Sequence, residues 1–262
     1  MKKEKYTFQD LTELMEKLRS DEGCPWDREQ THESLKRYMV EETYEALEAI
    51  EDGDDAGIKE ELGDVFLQVV FHSQIAKEED RFDSSDVIDG ICRKIIERHT
   101  HVFGEDIAED SEAVLKNWDK IKNKSKGLKT HTEKIKKIPK TYPALLRSLK
   151  IQEKAAKAGF DWDEVDGAID KTMEEIEEFM SAYKEHDQKG MRSEMGDLFF
   201  SLVNVCRFLE IEPEITLNET SDKFIRRFAF IENECQKADL VMENMTLTEL
   251  DAYWDKAKEA GL

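Results

Sequence analysis

Apolar residues along this chain recur at helical spacing. Leu62, Val65, Phe66, Val69 and Val70 fall at i, i+3, i+4, i+7 and i+8. Met195, Leu198, Phe199, Leu202 and Val203 repeat that stripe further on. Such spacing places side chains on one side of an α-helix and predicts a core-facing stripe. Ahead of the first stripe, Val40, Tyr44 and Leu47 keep the same period. The polar segments EDGDD (51–55) and HDQKG (186–190) break each pair of stripes apart. The pattern predicts an α-hairpin in each half, with further helices before and after it. No alternating apolar–polar run is long enough to predict a strand.

The two hairpins are also alike in letters. Residues 41–71 align without a gap on 174–204. Identities fall at Glu41/Glu174, Glu42/Glu175, Glu45/Glu178, Ala49/Ala182, Asp54/Asp187, Gly57/Gly190, Glu61/Glu194, Gly63/Gly196, Asp64/Asp197, Phe66/Phe199 and Val70/Val203. Chance would supply roughly two or three, so the chain holds a duplicated unit. Fainter echoes flank it: CPWD with GFDWD, KIIER (94–98) with KFIRR (223–227), and NWDKIK (117–122) with YWDKAK (253–258). The stretch 123–143 is rich in Lys and Thr and punctuated by Pro139 and Pro143, and reads as an exposed linker. The expected organisation is therefore an N-terminal unit over 1–122, a linker over 123–143 and a C-terminal unit over 144–262.

Composition supports an all-α chain. Only 4 of its 262 residues are Pro and 12 are Gly, too few for a turn-rich β protein. A net charge of −22 argues against stable binding to nucleic acid or anionic membrane. Four cysteines without a CxxC pair read as reduced thiols, and the N-terminus lacks the apolar stretch of a secretory signal. The expectation is a cytoplasmic protein.

Acidic spacing carries the candidate chemistry. Glu42 and Glu45 lie i, i+3 on one helix and Glu61 and Asp64 i, i+3 on the next. Antiparallel packing of the hairpin would bring the four carboxylates together. Glu175, Glu178, Glu194 and Asp197 repeat the arrangement. Converging carboxylates repel one another unless a cation joins them, and all-oxygen ligation suits Mg²⁺ or Mn²⁺ rather than zinc. There is no P-loop, and neither EETYE nor ELGD offers the His of the Glu-x-x-His that the di-iron bundles need. His99 and His101, spaced HxH on one expected helix, would point apart. Trp26 and Trp162 read as packing residues.

EExxE, a spacer and then ExxD resembles the signature of the all-α nucleoside triphosphate pyrophosphohydrolases. The two-unit layout, CPWD near the start and ERHTHVF (97–103) resemble the MazG family within that group. The resemblance implies two tandem MazG-like helical units, with four-helix-bundle cores completed by homodimerisation. It implies Mg²⁺-dependent hydrolysis of NTP or dNTP to the monophosphate and pyrophosphate, broad in base, in nucleotide-pool housecleaning. A narrow dUTP- or dCTP-type enzyme is the alternative within the class. A non-enzymatic acidic protein that binds a partner through its N-terminal unit is the alternative outside it. Carried over by position, Glu175, Glu178, Glu194 and Asp197 hold the metal, with Glu42, Glu45, Glu61 and Asp64 as first-unit counterparts. Lys223, Arg226, Arg227, Trp254 and Lys258 lie at the nucleotide. Glu174, Glu175 and Glu178 form the catalytic set, in which Glu174 orients or deprotonates water or binds a second metal. Trp254 either stacks on the base or packs. The second unit is the expected seat of activity, because KFIRR has a third basic residue where KIIER has Glu97.

Overall fold

The computed structural model describes residues 3–104, 110, 114, 117–118, 121 and 130–262. Among them every regular element is helical. The chain divides into two compact units, residues 1–125 and 126–262.

The first unit contains α1 (Phe8–Arg19), α2 (Pro25–Glu29), α3 (Lys36–Glu51), α4 (Asp55–Glu78), α5 (Ser84–Arg98) and the short α6 (Thr100–Phe103). Thr7 starts α1 with a capping box. Its hydroxyl accepts from the Asp10 amide, and the Asp10 carboxylate accepts from the Thr7 amide at 2.9 Å. The Lys3 ammonium first, then the Thr7 amide and hydroxyl, hold the Asp10 carboxyl down at about 2. Met15, Leu35, Val70, Phe71 and Ile75 close the core, with Phe8, Leu11, Tyr38 and Leu67 packed around them. At its edge the Arg19 guanidinium binds Glu78 at 2.7 Å and the Gln30 carbonyl at 3.1 Å, tying α1 and the segment after α2 to the end of α4.

The second unit contains α7 (His131–Lys136), α8 (Ala144–Ala156), α9 (Val165–Lys184), α10 (Gln188–Phe208), α11 (Pro213–Lys237) and α12 (Leu247–Glu259), with a 3₁₀ turn at Met242–Asn244. Helix α7 lies inside the stretch that reads as linker. A Thr130–Glu133 capping box starts it, and it packs on α8. Residues 122–129, including part of that stretch, and much of NWDKIK lie outside the described residues.

The hairpins α3–α4 and α9–α10 explain three of the repeated identities at once. Asp54 and Asp187 cap the second helix of each, accepting from the Ala56 and Lys189 amides at 3.0 Å. Gly57 and Gly190 follow because the chains approach closely there. A Cβ at Gly57 would lie 3.2 Å from the Ala49 methyl, and one at Gly190 3.1 Å from that of Ala182. The turn itself needs a left-handed residue, supplied by Gly53 (φ 66°) and, at the matching position, His186 (φ 57°).

The expected core stripes are only partly inward. Val70 and Val203 are buried, but Leu62 is 52% exposed, Phe66 46%, Phe199 55% and Leu202 45%. On α3, Val40, Tyr44 and Leu47 also face out. The residues that bury α4 are Leu67, Val70, Phe71 and Ile75, a stripe rotated from the predicted one. These helices are apolar on two sides, and a single hairpin covers one. Ala49 against Gly57 and Ala182 against Gly190 set how closely the hairpin closes, not which second surface meets it.

Helix α5 ends at His99 (φ −107°, ψ 55°), so His99 and His101 do not share one continuous helix. Their rings sit 5.8 Å apart, and among the described residues no group of potential metal ligands includes them. The four cysteines are unpaired. Among the described residues, no helix is long and apolar enough to cross a membrane.

Candidate active site

In each hairpin, antiparallel packing brings carboxylates together across the two helices. In the second unit Glu175 on α9 and Glu194 and Asp197 on α10 each offer an oxygen within 4.8 Å of the others. In the first unit the converging set is Glu42, Glu45 and Glu61. The expected four-carboxylate groups are thus three-membered here, and the omitted members differ: Glu178 in one unit, Asp64 in the other. Both remain electrically close. Burial first, then the charges of Asp64, Glu45 and Glu61, push the Glu42 carboxyl up from its ordinary value. Desolvation and the charges of Glu45 and Asp64 raise Glu61 likewise. Glu178 is raised chiefly by desolvation; the charges of Glu175, Glu174 and Glu194 add to it, and Lys171 opposes them.

The second cluster is the drier of the two. Glu175 is 5% exposed and would be an isolated buried anion without help. Lys171, one turn earlier on α9, supplies it: its ammonium sits 2.8 Å from Glu175 and 2.8 Å from Glu174. Those hydrogen bonds raise the Lys171 pKa further above its usual value. Part of the positive charge the cluster calls for is therefore already provided from within the chain. Sequence reasoning passed over Lys171, although a lysine three and four residues before the acidic phrase was a usable signal. Tyr38 occupies the matching position of the first unit.

A cavity of about 440 Å³ opens beside the second cluster, between α8, α9, α10 and the loop at 160–162. Glu175, Asp197 and Lys171 line one part of it, and Phe160, Trp162 and Phe200 give it aromatic walls. Trp162 is therefore a wall residue and not simply packing. Its indole lies against α9 where a Cβ at Gly167 would come within 2.4 Å of the ring. Other polar groups lining it are the buried Asn204, which accepts from Arg207 Nε at 2.8 Å, and the exposed Asp161, which pairs with the same guanidinium.

The basic residues expected at the nucleotide form a group of their own. Arg227 lies 5.4 Å over the Trp254 ring and donates to the terminal Leu262 oxygen at 2.8 Å. Phe224 packs on the other contact of that indole, ring centres 5.1 Å apart. Lys258 pairs with Asp255 at 2.8 Å. Lys223 is half-buried and Arg226 exposed on α11. None of the five lines the cavity beside Glu175 and Asp197.

The sequence profile of the MazG nucleotide pyrophosphohydrolase domain matches residues 30–103 and again residues 164–230, spanning both carboxylate hairpins. The chain belongs to the MazG family. It is 46% identical over 98% of its length to the nucleoside triphosphate pyrophosphohydrolase/pyrophosphatase MazG of Thermotoga maritima, 98% of which is covered. It is 41% identical to the nucleoside triphosphate pyrophosphohydrolase of Escherichia coli K12, over 95% of each chain. It is also 44% identical over 97% of its length to Bacillus subtilis YabN, matching 52% of that larger protein.

Proposed function

We propose that the chain hydrolyses nucleoside and deoxynucleoside triphosphates to the monophosphate and pyrophosphate, with Mg²⁺ and with Mn²⁺ able to substitute. The observation that carries this reading is the convergence of Glu175, Glu194 and Asp197 beside an aromatic-walled cavity. The relatives from T. maritima and E. coli bear the same activity in their names.

The donor set fits a hard divalent cation. All three groups are carboxylates, and an ammonium already offsets the charge of one of them. When bound, such a cation supplies charge neutralisation and orientation at the phosphates. Glu175, Glu194 and Asp197 would hold it, with Glu178 adding charge beside them; Glu42, Glu45, Glu61 and Asp64 are the first-unit counterparts. Glu174 is exposed and free to turn from Lys171 toward a water. Water attacks the α-phosphorus, the bond from that phosphorus to the α,β-bridging oxygen breaks, and pyrophosphate leaves. A proton passes from the attacking water to a carboxylate of this set.

The active molecule on this reading is a homodimer in the cytoplasm. Its motive is the outward apolar face of each hairpin: Val40, Tyr44, Leu47, Leu62 and Phe66 in one, Met173, Met180, Phe199 and Leu202 in the other. A second copy would bury both as four-helix bundles. Gly63 and Gly196 point the same way. A helical glycine costs about 1 kcal/mol relative to alanine, yet a Cβ at either would meet nothing within its own chain. Lys223, Arg226, Arg227 and Lys258 would complete the phosphate site in the assembled dimer, with Trp254 beside them. Base specificity is broad, and the role is housecleaning of the nucleotide pool. The test is Mg²⁺-dependent pyrophosphate release across a panel of NTPs and dNTPs; orthophosphate as the first product would overturn the reading.

A further inference from the structure

The segment between α2 and α3 is held to the rest of the first unit from two directions. Arg19 of α1 donates to the Gln30 carbonyl at 3.1 Å. Two residues on, the half-buried His32 meets the half-buried His72 of α4. Their rings are stacked, with planes 4° apart and centres 5.0 Å apart, and the two Nδ1 atoms lie 2.7 Å from each other. On the other side of His32, Arg81 reaches Nε2 at 2.5 Å.

Local structure sets all three side chains. Thr31 and Ser34 exchange amide-to-hydroxyl hydrogen bonds, which closes the turn that carries His32. Helix α4, which carries His72, ends in a Schellman turn. Asp80 takes the left-handed conformation (φ 52°), its amide returns to the Lys77 carbonyl, and the Arg81 amide returns to the Ala76 carbonyl.

The chain Arg81–His32–His72 admits one distribution of protons. A guanidinium only donates, so His32 Nε2 is an acceptor and bears no proton. The His32 proton therefore sits on Nδ1 and is donated to His72 Nδ1, which must be bare. An added proton has no place. On His72 Nδ1 it would face the Nδ1–H of His32. Moving the His32 proton to Nε2 would relieve that clash and oppose the Arg81 N–H instead.

Charged groups on the surrounding elements have partners of their own. Glu79 pairs with Arg81 at 2.5 Å, Glu78 with Arg19 at 2.7 Å, and Glu16 of α1 with Lys77 at 3.0 Å. At the start of α3, Glu33 and Lys36 pair at 2.5 Å; at the start of α5, Asp83 and Asp86 accept from amides. Burial first, then the charge of His32, keep the His72 ring below the ordinary histidine value. The second unit has Val165 and Val205 at the positions 133 further on, so the arrangement belongs to the first unit.

We propose that Arg81, His32 and His72 form an acid-sensitive latch, which holds the entry to α3 against α4 while both imidazoles are neutral and releases it when the pair takes up a proton. The released stretch leads into Leu35, 1% exposed in the core, and then into the helix that bears Glu42 and Glu45. The latch contributes stability in full above the ordinary histidine value of about 6.5, and that contribution is lost as pH falls through the lowered one.

The test is hydrogen–deuterium exchange of the full chain at pH 7.5 and 5.5, read by mass spectrometry and corrected for the intrinsic effect of pH on exchange. An open segment whose histidines titrate near 6.5 gains about 10-fold in population over that interval for one proton and about 100-fold for two. Protection of residues 31–38 should fall by a factor in that range, while residues 164–171 of the second unit keep theirs. His72→Asn puts a non-titrating acceptor in the place of Nδ1 and should hold protection at pH 5.5. Arg81→Met frees His32 to shift its proton and share one with His72, so protection at pH 5.5 should exceed the wild type's. Wild-type protection that does not change with pH, variants that keep the wild-type pH dependence, or variants equally less protected at both pH values overturn the proposal; the last outcome would make the contacts merely structural. Should His72→Asn fail to fold, Arg81→Met decides.

Discussion

Asp197→Asn should change the protein in opposite directions with and without metal. The substitution removes one charge at nearly constant volume. In the wild type, Asp197 offers an oxygen within 4.8 Å of both Glu175 and Glu194. Two unit charges at that distance repel by about 0.9 kcal/mol in water and about 3.5 kcal/mol at an effective dielectric of 20. Asp197 is exposed, so the watery end of that range applies, and Lys171 offsets part of the Glu175 charge. Relief on the order of 1 kcal/mol remains, which raises the melting temperature in chelator by about 2–4 °C for a domain of this size. Mg²⁺ reverses the order. At 100 times Kd the ion adds about 2.7 kcal/mol to the wild type. If the variant's Kd rises 100-fold, the same concentration adds only about 0.4 kcal/mol. The variant is then the less stable protein by about 1 kcal/mol. Thermal unfolding followed by circular dichroism, in chelator and in millimolar Mg²⁺, reads both terms. Equal destabilisation of the variant in both conditions would instead make Asp197 a structural residue and the cluster a solvated face.

Other expectations are as direct. Asp197→Asn should lose most pyrophosphate release while Asp64→Asn keeps most of it, measured at saturating Mg²⁺ on folded protein; the opposite outcome would move the activity to the first unit. The raised Glu178 carboxyl takes up a proton more readily in the folded chain than in the unfolded one. Its contribution to metal-free stability is therefore full below the ordinary carboxylate value and lost as pH rises through the raised one, whereas Mg²⁺ affinity falls as pH drops through the same range. Titrations across pH 4–7 in chelator and in Mg²⁺ should show these opposite slopes, and Glu178→Gln should flatten both. Gly167→Ala pushes a methyl into the Trp162 ring and should raise KM for every NTP with little change in melting temperature; unchanged kinetics would detach Trp162 from the substrate. Replacing Phe199 and Leu202 with Glu should convert a dimer at micromolar concentration into monomer in sedimentation equilibrium, and a wild type that is already monomeric would contradict the assembly.

The all-α class and the hairpins were legible because period and punctuation agreed. Asp54 and Asp187 cap, Gly57 and Gly190 permit close approach, and the apolar spacing between them admits only helix. Three of the four carboxylates in each hairpin converge as their i, i+3 spacing on two packed helices implied, and Asp64 and Glu178 stand just outside the groups. What the letters did not give was direction. Leu62 and Phe66 match a core stripe as well as Leu67 and Phe71 do, and only packing against α1 separates the inward set from the outward one. The cavity was illegible for a related reason. Ala168, Ser201 and Asn204 are unremarkable residues singly, and they mark a void only when neighbouring helices fail to fill it. Trp162 reads as core for the same cause, since aromatic residues serve walls and cores alike.

On the proposed reading, the second unit's carboxylates, with a divalent cation, direct cleavage between the α- and β-phosphates. Its most direct measurement is the hydrolysis of α-³²P- and γ-³²P-labelled ATP in ¹⁸O-water by wild type and Asp197→Asn, with and without Mg²⁺. The account predicts label as monophosphate from the first substrate and as pyrophosphate from the second, ¹⁸O in the monophosphate, dependence on Mg²⁺, and loss of both products in the variant. Orthophosphate released from the γ-labelled substrate as the first product, or full activity in Asp197→Asn, would contradict it.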